Sequence, residues 1–339
     1  MSLRIGWIGC GRHARQMLLP QLGRNDIHLA AVCDVDADAA AAVARDYGVS
    51  ATFDDADALL AHPGLDAIGM AVGPAIHQAV SLKALARGLP VFMEKPPAPD
   101  SAGAAEIARA AKAAGKPVVL GFMKRYSTGN KIAHNILTSD EFGPILGFAG
   151  IYMTAPTYFV GEVDYTGFFL HHCVHYMDLV PWLMRSPVAD MSVRVVEKEP
   201  GKLLIHLSLA TLSGAIGTLV MGTVQSRGTP MEFVQVMGDH RRVEISNIIN
   251  VAYHRNPPFK ADDPAATLAD SSDTLVWTPN FTAAANEDHK GYAALLADTA
   301  AALRGEPSSA PTIDDGVVAM QNLERMVGLV AEALRASGG

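Results

Sequence analysis

The chain has 339 residues, 49% hydrophobic and 18% charged, with a formal net charge of −8. That length exceeds what one hydrophobic core usually serves, so two domains are expected. The acidic balance, with no Lys/Arg cluster, argues against nucleic acid or an anionic membrane as partner, and no apolar run is long enough to span a bilayer.

From Arg4 to about Gly121, short apolar runs alternate with longer amphipathic stretches. The runs are RIGWIG (4–9), HLAAVC (28–33), LDAIGMAV (65–72), LPVFM (89–93) and KPVVLGF (116–122). Between them lie expected helices over Ala37–Tyr47, Ile76–Arg87 and Ser101–Ala114. Such alternation implies right-handed crossovers and a parallel sheet covered on both faces, which suits runs of nearly continuous apolar character. The first turn reads Gly9-Cys10-Gly11-Arg12-His13-Ala14, a G-x-G-x-x-A between a strand and an amphipathic helix. Gly9 permits the tight turn, Gly11 lets the backbone approach a pyrophosphate, and Ala14 lets the helix pack closely. Asp34 ends the second strand, where a carboxylate accepts hydrogen bonds from an adenosine ribose and repels a 2′-phosphate. NAD is therefore expected rather than NADP, with Arg12 near the pyrophosphate. Arg12 and Arg15 are the residues that could reach a phosphate instead.

Glu94-Lys95-Pro96 follows the fourth of these runs, at the carboxyl edge of the sheet where ligands bind. With the glycine turn, VGPAIHQAV (72–80), GFMKRY (121–126) and GFFLHHCVHYMD (167–178), it gives the chain a resemblance to the Gfo/Idh/MocA oxidoreductases, a family that includes inositol and sugar dehydrogenases. The resemblance covers essentially the whole chain. It implies that Lys95 contacts both the substrate hydroxyl and the nicotinamide ribose. It also implies that His77 and Glu94 lie on the cofactor side and that His175 is the active-site histidine. Where the family usually has aspartate, this chain has His171.

Beyond Gly121 the expected fold is a substrate-binding and oligomerisation α+β domain over 123–339, after a dinucleotide-binding domain over 1–122. A helix over Lys131–Thr138 and a strand over Ile145–Met153 precede the histidine segment. Further strands are expected at Met191–Val196, Leu203–Thr211, Ile216–Val224, Glu232–Met237 and Arg242–Ile245, with a hairpin turn at Gly238-Asp239. They imply a large, mainly antiparallel open sheet, with the histidine helix on one face. The other face is apolar in AIGTLVMG and is expected to mediate a homodimer or homotetramer. Asn256–Asp273 reads as a surface excursion, a lid or an oligomer contact. Helices over Asp288–Arg304 and Asp314–Ala336 close the chain.

In a regular helix, His171, His175 and Asp178 at i, i+4 and i+7 share one face. Three readings compete: a metal site, packing histidines, or a proton relay. The spacing suits zinc, but His172 stands where H-E-x-x-H carries its general base. Relay without a metal is the favoured reading, with His172 turned toward Tyr176 as packing. The expected activity is hydride transfer between NAD and a secondary alcohol of a polyol, inositol or sugar. Lys95 would stabilise developing alkoxide, His175 would act as base beside His171, and Arg125 and Tyr126 would contact substrate hydroxyls. An NAD-retaining glycosidase or lyase, or a non-catalytic NAD-binding sensor, is the alternative. Cys10, Cys33 and Cys173 fit neither a disulfide framework nor a zinc ribbon, and the N-terminus runs straight into a strand pattern, so a cytoplasmic location is expected.

Overall fold

The computed structural model describes residues 2–156, 165–225, 231–255, 274–278 and 290–337, so the stretch 256–273 expected as an excursion lies outside the described residues. The chain forms two compact units. The first comprises Met1–Met123 with Gly291–Gln321, the second Lys124–Lys290 with Asn322–Gly339.

In the first unit the strands are β1 (Leu3–Ile8), β2 (Ile27–Cys33), β3 (Thr52–Phe53), β4 (Ala67–Met70), β5 (Val91–Met93) and β6 (Val118–Leu120). They pair in parallel in the order β3-β2-β1-β4-β5-β6. This is the order of a doubly wound dinucleotide fold, and its reversal falls between β1 and β4. β4 and β5 are buried at every residue, as strands covered on both sides must be. Two groups of helices pack among themselves: α1 (Leu19–Leu22) with α9 (Tyr292–Leu303), and α3 (Ala56–Leu60) and α5 (Ser101–Ala114) with α4 (Pro74–Ala86). The return of Gly291–Gln321 departs from the expected division at residue 122. Its cause is packing: α9 completes the α1 side, and Leu120 N–H donates to Pro311 O at 2.8 Å.

The second unit holds β7 (Ile145–Met153), β8 (Val188–Glu199), β9 (Lys202–Thr211), β10 (Ile216–Gly222), β11 (Met231–Gly238), β12 (Arg241–Ser246), β13 (Asn250–Arg255) and β14 (Thr274–Trp277). Among the described residues the order is β14-β13-β12-β11-β7-β10-β9-β8, antiparallel except for β7 beside β10. Alternation along β9 buries Leu203, Ile205, Leu207 and Leu209 and turns Lys202, Leu204 and His206 outward. Two helices pack against this sheet, α6 (Thr128–Leu137) on β12 and β13 and α8 (Val174–Met184) on β7.

α6 meets α8 through His134, whose ring stacks on Trp182 with centroids 3.8 Å apart and planes 9° from parallel. Burial, with Lys131, Arg185 and Arg125 nearby, pushes the His134 pKa down to about 4. The folded protein therefore binds fewer protons here than the unfolded chain between about pH 6.5 and 4. This contribution is complete above that window and is lost as pH falls through it. After allowance for solvent screening it amounts to about 1–2 kcal/mol. Melting curves across the window should show a flatter pH dependence for His134→Phe, which keeps the stack and removes the titration.

Candidate active site

The glycine turn is held by backbone geometry at the end of β1. Gly9 adopts φ +95°, and a Cβ there would lie 2.4 Å from Ala71 O, so no other residue fits the turn. A Cβ at Gly11 would meet nothing within 4 Å, which leaves open the space where a phosphate would approach. Beside it lies a cavity of about 840 Å³ whose lining includes Cys10, Gly11, Arg12, Arg15 and Asp36. Asp34 accepts the Cys10 N–H on Oδ2 at 2.6 Å and the Asp36 N–H on Oδ1 at 2.9 Å. Each carboxylate oxygen keeps a second lone pair for a ribose hydroxyl. These features fit a dinucleotide. Arg12, exposed, donates from Nε to Gln16 Oε1 at 3.1 Å along its own helix, and Arg15 pairs with Asp46 at 3.7 Å. Ala14 is buried, as close packing of the helix requires.

Glu94 and Lys95 follow β5 at the carboxyl edge of the sheet. The Glu94 carboxylate is buried, 3.4 Å from His13 Nε2, and a Cβ at Gly121 would come within 2.7 Å of it. Gly121 therefore makes room for this acid. His13 also sits edge-on to Tyr292, at 5.7 Å. Lys95 is half-buried and its backbone N–H donates to Glu94 Oε2 at 3.3 Å.

His77, expected on the cofactor side, bonds the backbone on both ring nitrogens. It is fully buried; Nε2 accepts the Val72 N–H at 3.2 Å, and Nδ1 lies 2.9 Å from Pro96 O. That pairing requires the proton on Nδ1 and a neutral ring, and burial holds its pKa below the ordinary histidine value. Both nitrogens serve the backbone, so His77 ties the loop after β4 to the stretch after Lys95.

In the second unit the histidines do not lie on one regular helix. Phe169–Cys173 is a π-helical turn between α7 (Tyr165–Phe168) and α8. Along this segment His171 is exposed, His172 half-buried and His175 only 9% exposed. Asp178, the third member of the expected face, is committed to Arg125. Arg125 Nε donates to Oδ2 at 2.9 Å and Nη2 to Oδ1, a bidentate pair in which the Asp178 side chain is 1% exposed. Arg125, expected at substrate hydroxyls, thus holds the turn Met123–Tyr126 to α8. Tyr126 is buried with Lys131 Nζ 5.3 Å from its ring centroid. Among the described residues no three His, Cys, Asp or Glu side chains converge as a metal site.

Sequence reasoning missed a buried polar cluster beneath this helix. Lys124 pairs with Glu232, Tyr176 donates to Glu232 Oε2 at 2.6 Å, and the Tyr152 hydroxyl bonds His172 Nδ1. Burial lowers the Lys124 pKa, opposed by Glu232, and pushes the Tyr176 hydroxyl well up. One signal was available. Glu232 has the inward parity of Val234 and Val236 on β11, and an acid at such a position demands a buried cation.

Residues 3–122 match the model of an oxidoreductase family, NAD-binding Rossmann fold, and residues 139–331 that of the same family's C-terminal alpha/beta domain. The chain belongs to the Gfo/Idh/MocA oxidoreductase family. Its first unit accordingly contains an NAD-binding Rossmann domain. An inositol 2-dehydrogenase of Corynebacterium glutamicum is 32% identical over 197 residues, which cover 57% of each protein. The chain thus matches a little over half the length of that Gfo/Idh/MocA relative. A dehydrogenase structure from Chromobacterium violaceum aligns with a TM-score of 0.85 at 22% identity, covering 99% of this chain and 98% of that one. An oxidoreductase from Agrobacterium radiobacter, in complex with NAD+, L-tartaric acid and magnesium, aligns at 0.82 and 18% identity, covering 98% and 97%. At these identities the structural likeness is one of fold. No described helix is long and apolar enough to cross a membrane.

Proposed function

We propose that the protein is an NAD-dependent dehydrogenase acting on a secondary alcohol of a polyol, inositol or sugar. The observation that carries this reading is Lys95, half-buried and immediately beyond β5 at the ligand-binding edge of an NAD-binding Rossmann domain. The names of its relatives, inositol 2-dehydrogenases, support the same substrate class. When bound, NAD supplies the hydride acceptor. The protein's own residues handle the proton: the Lys95 ammonium lowers the pKa of the substrate hydroxyl and stabilises developing alkoxide, and His175 takes the proton. NADH formation across a panel of inositols, aldoses and sugar acids tests the reading. Release of a leaving group without net NADH would replace it with NAD-retaining cleavage, and NAD binding without any turnover would replace it with a sensor.

The position of Asp34 carries a preference for NAD over NADP, because a second negative charge on the ribose meets a carboxylate already fixed by two backbone donors. Calorimetry should give NAD the tighter binding by about tenfold or more, and Asp34→Ala should narrow the gap. NADP binding as tight as NAD would overturn the assignment.

The outer face of the second unit's sheet is proposed to join copies of the chain. Ile216 is 68% exposed and Leu146 54%, beside a groove of about 710 Å³ that also takes in Phe148 and Met237. Light scattering should report an oligomer for the native chain and a smaller species for Ile216→Glu.

A further inference from the structure

Two side chains of the histidine helix reach down to the sheet, and neither is a candidate for the chemistry. His172 Nδ1 bonds the Tyr152 hydroxyl, with the two rings stacked at 5.6 Å. Four residues on, the Tyr176 hydroxyl donates to Glu232 Oε2. On the sheet, Tyr152 of β7 and Glu232 of β11 are directly opposed cross-strand partners. An i, i+4 pair on the helix therefore meets one rung of the sheet, hydrogen bond to hydrogen bond. Lys124 closes the cluster: Nζ pairs with Glu232 and lies 5.6 Å and 5.3 Å from the Tyr152 and Tyr176 ring centroids. Tyr176 is fully buried, and the Lys124 and Glu232 side chains are 8% and 14% exposed. Loss of the Tyr176 hydroxyl or of Lys124 would take a partner from the enclosed Glu232 carboxylate.

We propose that Tyr152, His172, Tyr176, Glu232 and Lys124 form a clamp that fixes the rotation of the helix, and with it the direction in which His171 and His175 point. The π-helical turn explains the need. Across Phe169–Cys173 the backbone leaves the α-helical register, so the azimuth of the residues that follow differs from that of a continuous α-helix. Anchors at 172 and 176 hold it against the sheet. His171 and His175 each precede an anchor by one residue, so any rotation of the anchors is passed directly to them. These are positioning residues. The proposal rests on the reading of His175 as the proton acceptor, and a displacement of about 1 Å at such a group can cost about a hundredfold in rate.

Tyr152→Phe and Tyr176→Phe each delete one oxygen and keep the ring. With a turned-over alcohol, each should lower kcat about ten- to a hundredfold while the Kd for NAD stays within about twofold. The pair combined should cost less than the product of the two singles, since both serve one clamp. The acid limb of the pH–rate profile should move in each variant. Independently of turnover, NMR of the ring-labelled histidines should show the His175 resonances shifted and titrating at a different pH. If Tyr176→Phe fails to fold, Tyr152→Phe carries the test, because His172 is half-buried and can be hydrated in place of the lost hydroxyl. Variants that melt earlier but keep kcat, the pH profile and the His175 titration of the native protein would reduce the cluster to packing. Absence of dehydrogenase activity in the native protein would overturn the functional reading and leave the NMR test of the clamp intact.

Discussion

Lys95→Ala is expected to lower kcat by about a hundredfold or more while the Kd for NAD stays within about tenfold. The asymmetry follows from where the charge is needed. A neutral secondary alcohol gains little from an ammonium in the ground state, whereas the alkoxide developing as its proton leaves gains a great deal, and more so in a site shielded from water. In the proposed reading dinucleotide affinity draws instead on Gly9, Gly11 and Asp34, with Gly9 set by its turn and Asp34 held by two backbone donors. Lys95→Arg should rescue only part of the loss, because the planar guanidinium cannot occupy the position of a compact ammonium. Single-turnover NADH formation beside equilibrium binding separates the two effects. Unchanged turnover would make Lys95 a half-buried strand-end lysine and remove the main support for the proposed chemistry.

Most of the first unit was legible because its punctuation is local. α2 (Ala37–Tyr47) and α5 occupy the expected residues since each carries its own start and stop signals. Asp36 and Asp100 cap their N-termini with side-chain acceptors, and Gly48 and Gly115 end them in the left-handed conformation. α4 begins two residues before the expected Ile76, because Pro74 at the first turn has the φ a helix needs and no N–H to lose. The short strand β3 carries two residues, too few for any alternation to show. The return of residues 291–321 to the first unit left no trace in local pattern, because it depends on which surface α9 covers.

In the second unit the alternation of buried and exposed residues marked the strands well, and Ile145–Met153 has the expected bounds. The hairpin between β11 and β12 turns one residue later than expected, at Asp239-His240, with His240 at φ +54°. The histidine segment was the harder case. Its helical spacing was correctly read as helix, yet the π-helical turn has no compositional mark, and His171 within it is exposed while His175 beyond it is buried. Asp178 reads as a ligand only until Arg125, 53 residues earlier, is seen to take both of its oxygens. Of the clamp only Glu232 left a mark, its inward parity on β11; the other members, spread from Lys124 to Tyr176, meet it only through strand pairing and the packing of helix and turn on the sheet.

His175→Ala should reduce hydride transfer by about a thousandfold or more at neutral pH, the larger end of what removal of a positioned general base costs. The proposed role falls to His175, which is nearly buried in α8. His171→Ala should cost about tenfold, since an exposed imidazole in the preceding turn can assist a proton or a substrate hydroxyl without being the acceptor. The informative variant is His171→Asp. A carboxylate stabilises a nearby imidazolium, so the acid limb of the pH–rate profile should move upward, because His175 must then lose its proton at higher pH to act as base. Activity at high pH should be retained. An unmoved acid limb would mean that residue 171 is not electrostatically coupled to the base, and a downward shift would contradict the stabilised imidazolium. An active His175→Ala enzyme with an unaltered profile would return the whole segment to packing and send the search for the proton acceptor elsewhere in the site.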